Sequence, residues 1–238
     1  MGDVATTLVA CGLQREARIL AGTGIMTVAG GGDANRLEAL LDAAAPHAAW
    51  IVSAGLAGGV DPALKVGDIV LATEVRTSPN AIGAAPRTQS KPIDTQQLCA
   101  LLPEARIGAV YADGAAVGSV AGKGALFAAT GAIAVDMESH VAARVAARHR
   151  LGFVALRVIS DAAAHTLPPA AMAGMALDGS MAIRPVLASL ARDPSQLPAL
   201  IRTALASEIA FAGLRRIHHA LVSIRVAGAN LGEFPLDM

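Results

Sequence analysis

Carboxylate side chains stand at the ends of two apolar runs of this sequence, where they could take part in chemistry. The run Ala132–Val135 leads into Asp136–Glu138, and the run Phe153–Ile159 leads into Ser160 and Asp161. An alanine-rich segment of helical character separates the runs, which predicts a strand–helix–strand unit. Ligands of open α/β sheets bind at the carboxyl ends of the strands. A carboxylate there can accept hydrogen bonds from a ligand, and a carboxyl group whose pKa is raised by burial can donate a proton.

Further strands and helices must hold these side chains in place. The apolar patterns predict five more strands, at Val4–Cys11, Ile25–Ala29, Trp50–Ala54, Ile69–Val75 and Ile107–Tyr111. Helices are predicted at Gln14–Leu20, from a cap at Asp33 or Asn35 to about Ala45, at Gly122–Thr130, at about Ala170–Ala191 and at about Gln196–Leu221. The unbroken alternation favours a single α/β domain over residues 1–238, with a helical tail from about 195 to 238. The tail helix is amphipathic, which suits packing on the sheet or, alternatively, an oligomer or lipid contact.

Composition excludes several classes of protein. Among 238 residues, 19 basic and 19 acidic side chains balance, and only 3% of residues are aromatic, so nucleic acid is not an expected partner. The two cysteines and the six histidines show no metal-ligand spacing, so neither a metal nor a redox cofactor is expected. Mean hydropathy is +0.52, yet no stretch of about 20 residues is uniformly apolar and uncharged, and no signal peptide is visible. We expect a cytoplasmic protein that could contact a membrane surface peripherally.

Three segments resemble the nucleoside phosphorylase and nucleosidase superfamily, of purine and uridine phosphorylase type. AVDMES and RVISD, at 134–139 and 157–161, are similar to the family's AVEMEA and RAISD. SAGLAGGVDPALKVGDIVLATEV, at 53–75, is similar to its TGSAGGL and KVGDIV segments, and GLQREARIL, at 12–20, resembles its first strand–helix junction. Their order and spacing agree from about residue 4 to about residue 190. The resemblance implies a three-layer α/β/α sandwich with a mixed, curved central sheet, a homo-oligomer, and a small-molecule nucleoside as substrate.

The resemblance also implies roles for the carboxylates in breaking an N-glycosidic bond. The sugar becomes cationic as the bond breaks, and the purine leaves more easily if it is protonated, most naturally at N7. Asp161 corresponds to the family's proton donor, and Met137 with Glu138 corresponds to the pair that binds the ribose hydroxyls. Asp136 either contacts the same region or orients the loop. Arg157 lies within an apolar strand and needs a partner if buried, so we expect it to pair with a nearby carboxylate and to contribute to substrate binding.

The nucleophile is left open by the sequence. Glu16 matches the glutamate that orients the attacking water in the family's methylthioadenosine and adenosylhomocysteine nucleosidases. In the hexameric phosphorylases an arginine that binds phosphate occupies about this place, and Arg15 or Arg18 could serve that purpose here. The turn at Gly30, Gly31 and Gly32 follows a strand and precedes a helix, so it is either an anion cradle or a tight turn. Inorganic phosphate is therefore a candidate co-substrate.

Two departures from the family pattern bear on the substrate. Leu56 replaces a serine near the sugar, and the adenine-stacking phenylalanine of the nucleosidases falls near Ala115 or Ala116, beside Val117. The wider, apolar site suits a bulky 5′ group, and the sequence resembles most the hopanoid-biosynthesis-associated phosphorylases. We therefore expect phosphorolysis of adenosylhopane that releases adenine. The alternatives are a hydrolytic methylthioadenosine/adenosylhomocysteine nucleosidase and a non-catalytic nucleoside-binding relative. A proline-rich loop at 77–92 is predicted to be a lid or a subunit contact.

Overall fold

The computed structural model describes residues 6–77, 95–174, 176 and 178–230. The strands are β1 (Thr6–Cys11), β2 (Ile25–Ala29), β3 (Ala48–Gly59), β4 (Ile69–Arg76), β5 (Arg106–Ala112), β6 (Ala134–Asp136) and β7 (Gly152–Asp161). The helices are α1 (Gln14–Leu20), α2 (Ala34–Ala44), α3 (Thr95–Leu101), α4 (Val120–Thr130), α5 (Ser139–His149), α6 (Pro169–Ala173), α7 (Ile183–Arg192) and α8 (Leu197–Asn230). Except for Thr77, the predicted lid at 77–92 lies outside the described residues.

The seven strands form a mixed sheet that curls back on itself. Their order is β2-β1-β3-β6-β5-β4-β7, and β7 also pairs with β3. Strands β3 and β6 run antiparallel, as do β4 and β7, whereas the other pairs are parallel. Five strands therefore close into a small barrel, and β1 and β2 extend it on one side. The predicted mixed, curved sheet is confirmed.

Strand β3 is longer than the sequence analysis predicted. The apolar pattern ends at Ala54, but the strand continues through the glycine-rich segment to Gly59. A side chain at Gly58 or Gly59 would stand 3.2 Å from Val135 or Ile159, respectively. The glycines thus allow one strand to pair closely with both β6 and β7, which a turn signal alone does not reveal.

Helices cover both faces of the sheet. Successive residues of β1 point in opposite directions, so Leu8 and Ala10 pack against α2 and α5, whereas Val9 and Cys11 lie in the cluster that includes α1 and α8. The cluster that includes α1 and α8 is the larger of the two and contains Phe211, Leu214, Ile217 and Leu221 of α8. These two layers of helices complete the α/β/α architecture.

The C-terminal helices differ from their predicted bounds. The single helix expected at about 170–191 is two helices, α6 and α7, since Gly174 ends α6 and Gly179 adopts a left-handed φ of 79°. A Cβ at Gly179 would stand 2.6 Å from the carbonyl oxygen of Gly12, so the turn packs directly against the β1–α1 junction.

Helix α8 has two unlike parts. Its second part packs on the sheet, whereas Leu197, Ile201, Leu205 and Ile209 of its first part are exposed. By length and composition alone the span Pro194–Ile224 could cross a membrane. Packing of residues 210–221 in the core fits a helix of a globular domain instead.

Candidate active site

A cavity of about 410 Å³ opens at the carboxyl ends of β1, β3, β6 and β7. Its volume is in the range typical of small-molecule sites. The cavity brings together the carboxylates predicted from three separate segments, which are Glu16, Asp136, Glu138 and Asp161. Met137, Gly31 and Gly32 also line it. The strand ends therefore meet in one site, as the strand–helix–strand pattern predicts.

Glu16 is fixed by backbone amides. It is the third residue of α1 and reaches back to the helix start, where Oε2 accepts hydrogen bonds from the amides of Gly12 (2.9 Å) and Leu13 (2.8 Å). Oε1 accepts from the amide of Leu56 on β3 (2.7 Å). Burial raises the pKa of Glu16, and the three amides oppose that rise. The side chain is thus held rigidly at the cavity wall.

Asp136 orients the turn that carries Glu138. Its Oδ1 accepts hydrogen bonds from the amides of Glu138 (2.8 Å) and Ser139 (2.7 Å), at the start of α5. Its Oδ2 lies 2.9 Å from Nε of Arg157. Of the two roles left open for Asp136, orientation of the loop is the one visible in these contacts.

Arg157 is completely buried beneath the cavity. Its guanidinium donates to the hydroxyl oxygens of Ser53 and Ser139, and Nη1 lies 3.6 Å from Oε2 of Glu138. It thus pairs with two carboxylates, but it does not line the cavity. The predicted pairing is therefore present, whereas its contribution to substrate binding stays a prediction, since the lining carboxylates and not the guanidinium reach the cavity.

Glu138 is the most perturbed carboxyl group of the site. Desolvation by burial raises its pKa to about 8; Arg157 opposes this rise, whereas Asp136 and Glu16 reinforce it. A Cβ at residue 12 would stand 2.7 Å from Oε1 of Glu138, so Gly12 gives the carboxyl group room. At neutral pH the group therefore holds a proton for most of the time, and it can both donate to and accept from sugar hydroxyls.

Asp161 lies at the opposite end of the cavity and has a cationic partner that the sequence analysis missed. Its Oδ1 accepts from the hydroxyl of Ser160 (2.9 Å), and its Oδ2 pairs with Nζ of Lys123 on α4. Nζ also donates to the carbonyl oxygens of Ala162 and His165, both at 3.0 Å. His165 itself is an exposed residue. A lone lysine in an alanine- and glycine-rich helix was the available signal, but its partner could not be read from spacing.

One wall of the cavity is apolar. Leu56, Ala115 and Val117 line it as predicted, and Leu167 and Met172 from the segment after β7 join them. Asp113 shapes the loop that carries Ala115. Its carboxylate accepts hydrogen bonds from the amide of Ala115 (2.9 Å) and from the hydroxyl of Tyr111 (3.0 Å). No aromatic residue lines the cavity among the described residues.

Two candidates for phosphate binding are placed elsewhere. Arg15 pairs with Glu208 and stacks on the ring of Phe211, and Arg18 is exposed and donates to the carbonyl oxygen of Gln14. Neither lines the cavity, because on a helix whose third residue faces the site, residues one or two positions away face elsewhere. Their role in phosphate binding stays a prediction that these positions do not support.

The glycine turn reaches the cavity but has few amides to offer. The amides of Gly30 and Gly31 already donate to the carbonyl oxygens of Cys11 and Gly12, both at 2.9 Å. Gly31 and Gly32 adopt left-handed φ angles of 70° and 78°. These observations describe a tight strand-to-helix turn, after which Asp33 caps α2.

The described part of the chain contains no cluster of three His, Cys, Asp or Glu side chains that could hold a metal ion.

Comparison with known proteins decides the family. Residues 6–174 match the Phosphorylase superfamily. The chain belongs to the Phosphorylase superfamily. It is therefore an enzyme, and the matched residues contain every carboxylate of the cavity. No curated protein matches the sequence.

Several solved structures of other proteins superpose on the chain at low sequence identity. A putative 5′-methylthioadenosine/S-adenosylhomocysteine nucleosidase from Borrelia burgdorferi, bound to adenine, gives a TM-score of 0.64 at 14% identity and covers 92% of this chain and 100% of its own. A Helicobacter pylori 5′-methylthioadenosine/S-adenosylhomocysteine nucleosidase gives 0.60 at 14% identity, covering 93% and 97%. A futalosine hydrolase mutant from the same organism gives 0.53 at 16% identity, covering 66% and 89%. These similarities establish the fold.

Proposed function

We propose that this enzyme cleaves the N-glycosidic bond of an adenine nucleoside that carries a large apolar 5′ group, with water as the nucleophile. The single observation that carries the choice of water is Glu16, a rigidly held carboxylate at the cavity wall. A carboxylate in that position can accept a proton from a water molecule as the water attacks C1′.

The charge of the cavity supports water over phosphate. Among the described residues that line it there are four carboxylates and no lysine or arginine. The nearest guanidinium, that of Arg157, is already paired with two carboxylates. A phosphate dianion would therefore find no unpaired cation among the described residues that line the cavity, which is unfavourable for an anion in a buried site.

The two ends of the cavity suit the two halves of a nucleoside. Glu138 at one end can donate to and accept from ribose hydroxyls. Asp161 at the other end faces the nucleobase and protonates it as the bond breaks. Adenine as the leaving base is supported by the Borrelia burgdorferi neighbour, which was solved with adenine bound.

The apolar wall supports a large 5′ group. Leu56, Val117, Leu167 and Met172 would contact a hydrocarbon substituent and would leave a polar one without partners. Adenosylhopane is the first compound to test, and methylthioadenosine and adenosylhomocysteine are the comparison substrates.

The experiment measures adenine release from these three compounds with and without inorganic phosphate, and identifies the sugar product by mass. We expect equal rates in both conditions, a free sugar as product, and the highest kcat/KM for the compound with the largest apolar group. A rate that requires phosphate, together with a sugar 1-phosphate, would show that water is not the nucleophile.

Phosphorolysis of adenosylhopane is the second candidate. It is favoured by Gly31 and Gly32, which line the cavity in the left-handed backbone conformation found in anion-binding loops. The same assay separates it from hydrolysis.

We propose in addition that the enzyme contacts an anionic membrane surface through α7 and the first part of α8. An exposed apolar face lies beside the cavity and consists of Ile183 and Leu187 of α7 with Ile201 and Leu205 of α8. Two other residues of α8, Thr203 and Ser207, line the cavity itself. This face also carries three exposed arginines, Arg184, Arg192 and Arg202. Its two acidic residues have partners within the protein: Glu208 accepts from Arg15, and Asp193 accepts from the amide of Ser195. Apolar side chains flanked by arginines suit a surface of anionic lipid headgroups.

Sedimentation with vesicles of phosphatidylglycerol and phosphatidylcholine tests this contact. We expect binding that weakens with salt and is lost in Ile201→Glu/Leu205→Glu but kept in Ile107→Glu, which alters an exposed isoleucine on β5. Absence of binding, combined with dissociation of an oligomer by the double substitution in light scattering, would show instead that this face joins two copies of the chain.

A further inference from the structure

The completely buried Lys123 is the feature of the molecule that the proposed reaction has not yet used. Its side chain leaves α4 and reaches the segment after β7, where Nζ contacts Asp161, Ala162 and His165. An ammonium group has three donors, and these three acceptors use all of them. A buried ammonium is costly unless it is paired and hydrogen-bonded, so its presence here calls for a function beyond filling space.

The position of Lys123 is set by the start of α4. Ser119 caps this helix by accepting a hydrogen bond from the amide of Gly122 (3.0 Å), and the amide of Lys123 donates to the carbonyl oxygen of Ser119 (3.0 Å). The helix start is therefore fixed, and Nζ is held on the side of Asp161 that faces away from the cavity. Lys123 itself does not line the cavity, so it can act on a substrate only through Asp161.

We propose that Lys123 is a positioning residue that supplies, through Asp161, the proton that the departing nucleobase receives. This inference rests on the proposed function. It goes beyond that function by assigning the source of the proton to a pair of residues, Lys123 and Asp161, instead of to a single carboxyl group.

The proton and electron balance is simple. Before reaction the pair consists of an ammonium and a carboxylate. As the bond between C1′ and N9 breaks, water forms the new bond to C1′ and gives a proton to Glu16, while the electron pair of the broken bond moves to the purine. Nζ of Lys123 passes a proton to the carboxylate of Asp161, which hands it on to the purine, and the pair is left as a neutral amine and a carboxylate. The protonated pair is restored by a proton from water after the base has left.

This role predicts a dependence on the leaving group that a purely structural role would not give. A 4-nitrophenyl riboside with the same 5′ group releases a phenolate that needs no protonation, whereas the adenine nucleoside requires it. We expect Lys123→Gln and Lys123→Met to lower kcat for adenine release by about 10- to 100-fold, and to change kcat for nitrophenolate release by less than about 3-fold. Lys65→Gln, at an exposed lysine, is the matched control and should change neither.

The Asp161→Asn variant tests whether Lys123 acts through Asp161. In that background we expect Lys123→Met to cause no further loss of adenine release, because the carboxylate that connects Lys123 to the base is absent. The double variant also removes both buried charges together, so it stays informative if a single Lys123 variant does not fold.

Three results would decide against the inference. Equal losses of adenine and nitrophenolate release would make Lys123 a structural residue only. Unchanged adenine release in Lys123→Gln would remove any role, and an additional loss in the Asp161→Asn background would mean that Lys123 does not act through Asp161. If the unaltered enzyme released no base from any adenine nucleoside, the proposed function itself would be wrong, and this inference would fall with it.

Discussion

The two ends of the cavity hold the same type of residue in opposite electrostatic settings. At the base end, one carboxylate, Asp161, is matched by one ammonium, Lys123. At the sugar end, Glu16, Asp136 and Glu138 share one guanidinium, that of Arg157. At the base end the number of carboxyl groups therefore equals the number of cations, whereas at the sugar end carboxyl groups outnumber the single cation.

This difference teaches how one fold can assign two tasks to carboxyl groups. Burial is the main cause that raises the pKa of Glu138, Arg157 opposes the rise, and Asp136 and Glu16 add to it. A group of acidic side chains suits a site where positive charge develops. The balanced pair at the base end suits the movement of a proton toward a group that becomes negative. The four predictions that follow alter one end at a time.

Loss of the carboxyl group at the base end should have the largest effect. Asp161→Asn removes the proton donor while keeping the shape of the side chain, so we expect kcat for adenine release to fall by about 10²- to 10⁴-fold. The measurement is adenine release by chromatography at saturating substrate. Asp42→Asn, which alters an ion pair with Arg148 on the far side of the molecule, is the control and should stay close to the unaltered rate. An unchanged kcat in Asp161→Asn would mean that the carboxyl group of Asp161 does not donate a proton to the nucleobase.

At the sugar end, Glu16→Gln should slow the attack of water. The amide cannot accept a proton from the nucleophile, so we expect kcat to fall by about 10²-fold with a small change in KM. The measurement is a steady-state comparison of the two constants. Glu104→Gln, at an exposed ion pair with Arg216, is the matched control. A large rise in KM with kcat preserved would instead assign Glu16 to substrate binding.

Two glycines of β3 allow each end to be disturbed separately. A Cβ at Gly55 would stand 2.8 Å from Nη1 of Arg157 and 2.9 Å from Oε1 of Glu16, whereas one at Gly58 would stand 3.2 Å from Oδ2 of Asp161. We expect Gly55→Ala to destabilise the fold by about 1–3 kcal/mol, and Gly58→Ala to cost less, because its nearest contacts are longer. Urea unfolding measures both.

The control for this pair is an exposed helical glycine. A Cβ at Gly124 on α4 meets no atom within 4 Å, so Gly124→Ala should stabilise the protein by about 0.5–1 kcal/mol. Equal destabilisation by Gly55→Ala and Gly124→Ala would contradict the idea that Gly55 exists to let Arg157 and Glu16 approach each other.

The smallest expected effect is the pH dependence of stability that Glu138 causes. Its pKa is about 8 in the folded chain and near 4.5 when unfolded, so between these values the folded chain holds a proton that the unfolded chain has lost. Stability contributed by this group is therefore complete below pH 4.5 and is lost as the pH rises through about 8. We expect the melting temperature of the unaltered enzyme to fall, over this window, relative to that of Glu138→Gln. Parallel melting curves across the window would show that the group titrates normally.

Local patterns were sufficient to predict several elements with their bounds. Helix α1 and strand β2 begin and end where the sequence analysis placed them, and Asp33, one of two candidate caps, caps α2 through its side chain. Turn residues and hydrophobic periodicity act over a few residues, so they can be read directly from the chain. The extension of β3 from Ala54 to Gly59 and the split between α6 and α7 were not predicted, because glycines there serve contacts with distant segments.

The sequence by itself determined which strand ends carry carboxylates, since apolar runs followed by acidic residues are local features. Only the tertiary structure decided which cation each carboxylate meets. Lys123 is 38 residues from Asp161, whereas Arg157 lies only four residues before Asp161 in β7 and yet pairs with the carboxylates of the other end of the cavity. Four residues of a strand span about 13 Å, and the direction in which a helix presents a lysine depends on how that helix packs. Charge pairing in a buried site is thus a property of the packed layers, which is why Arg15 and Arg18, close to Glu16 in the chain, lie outside the cavity while Lys123 reaches Asp161 from another helix.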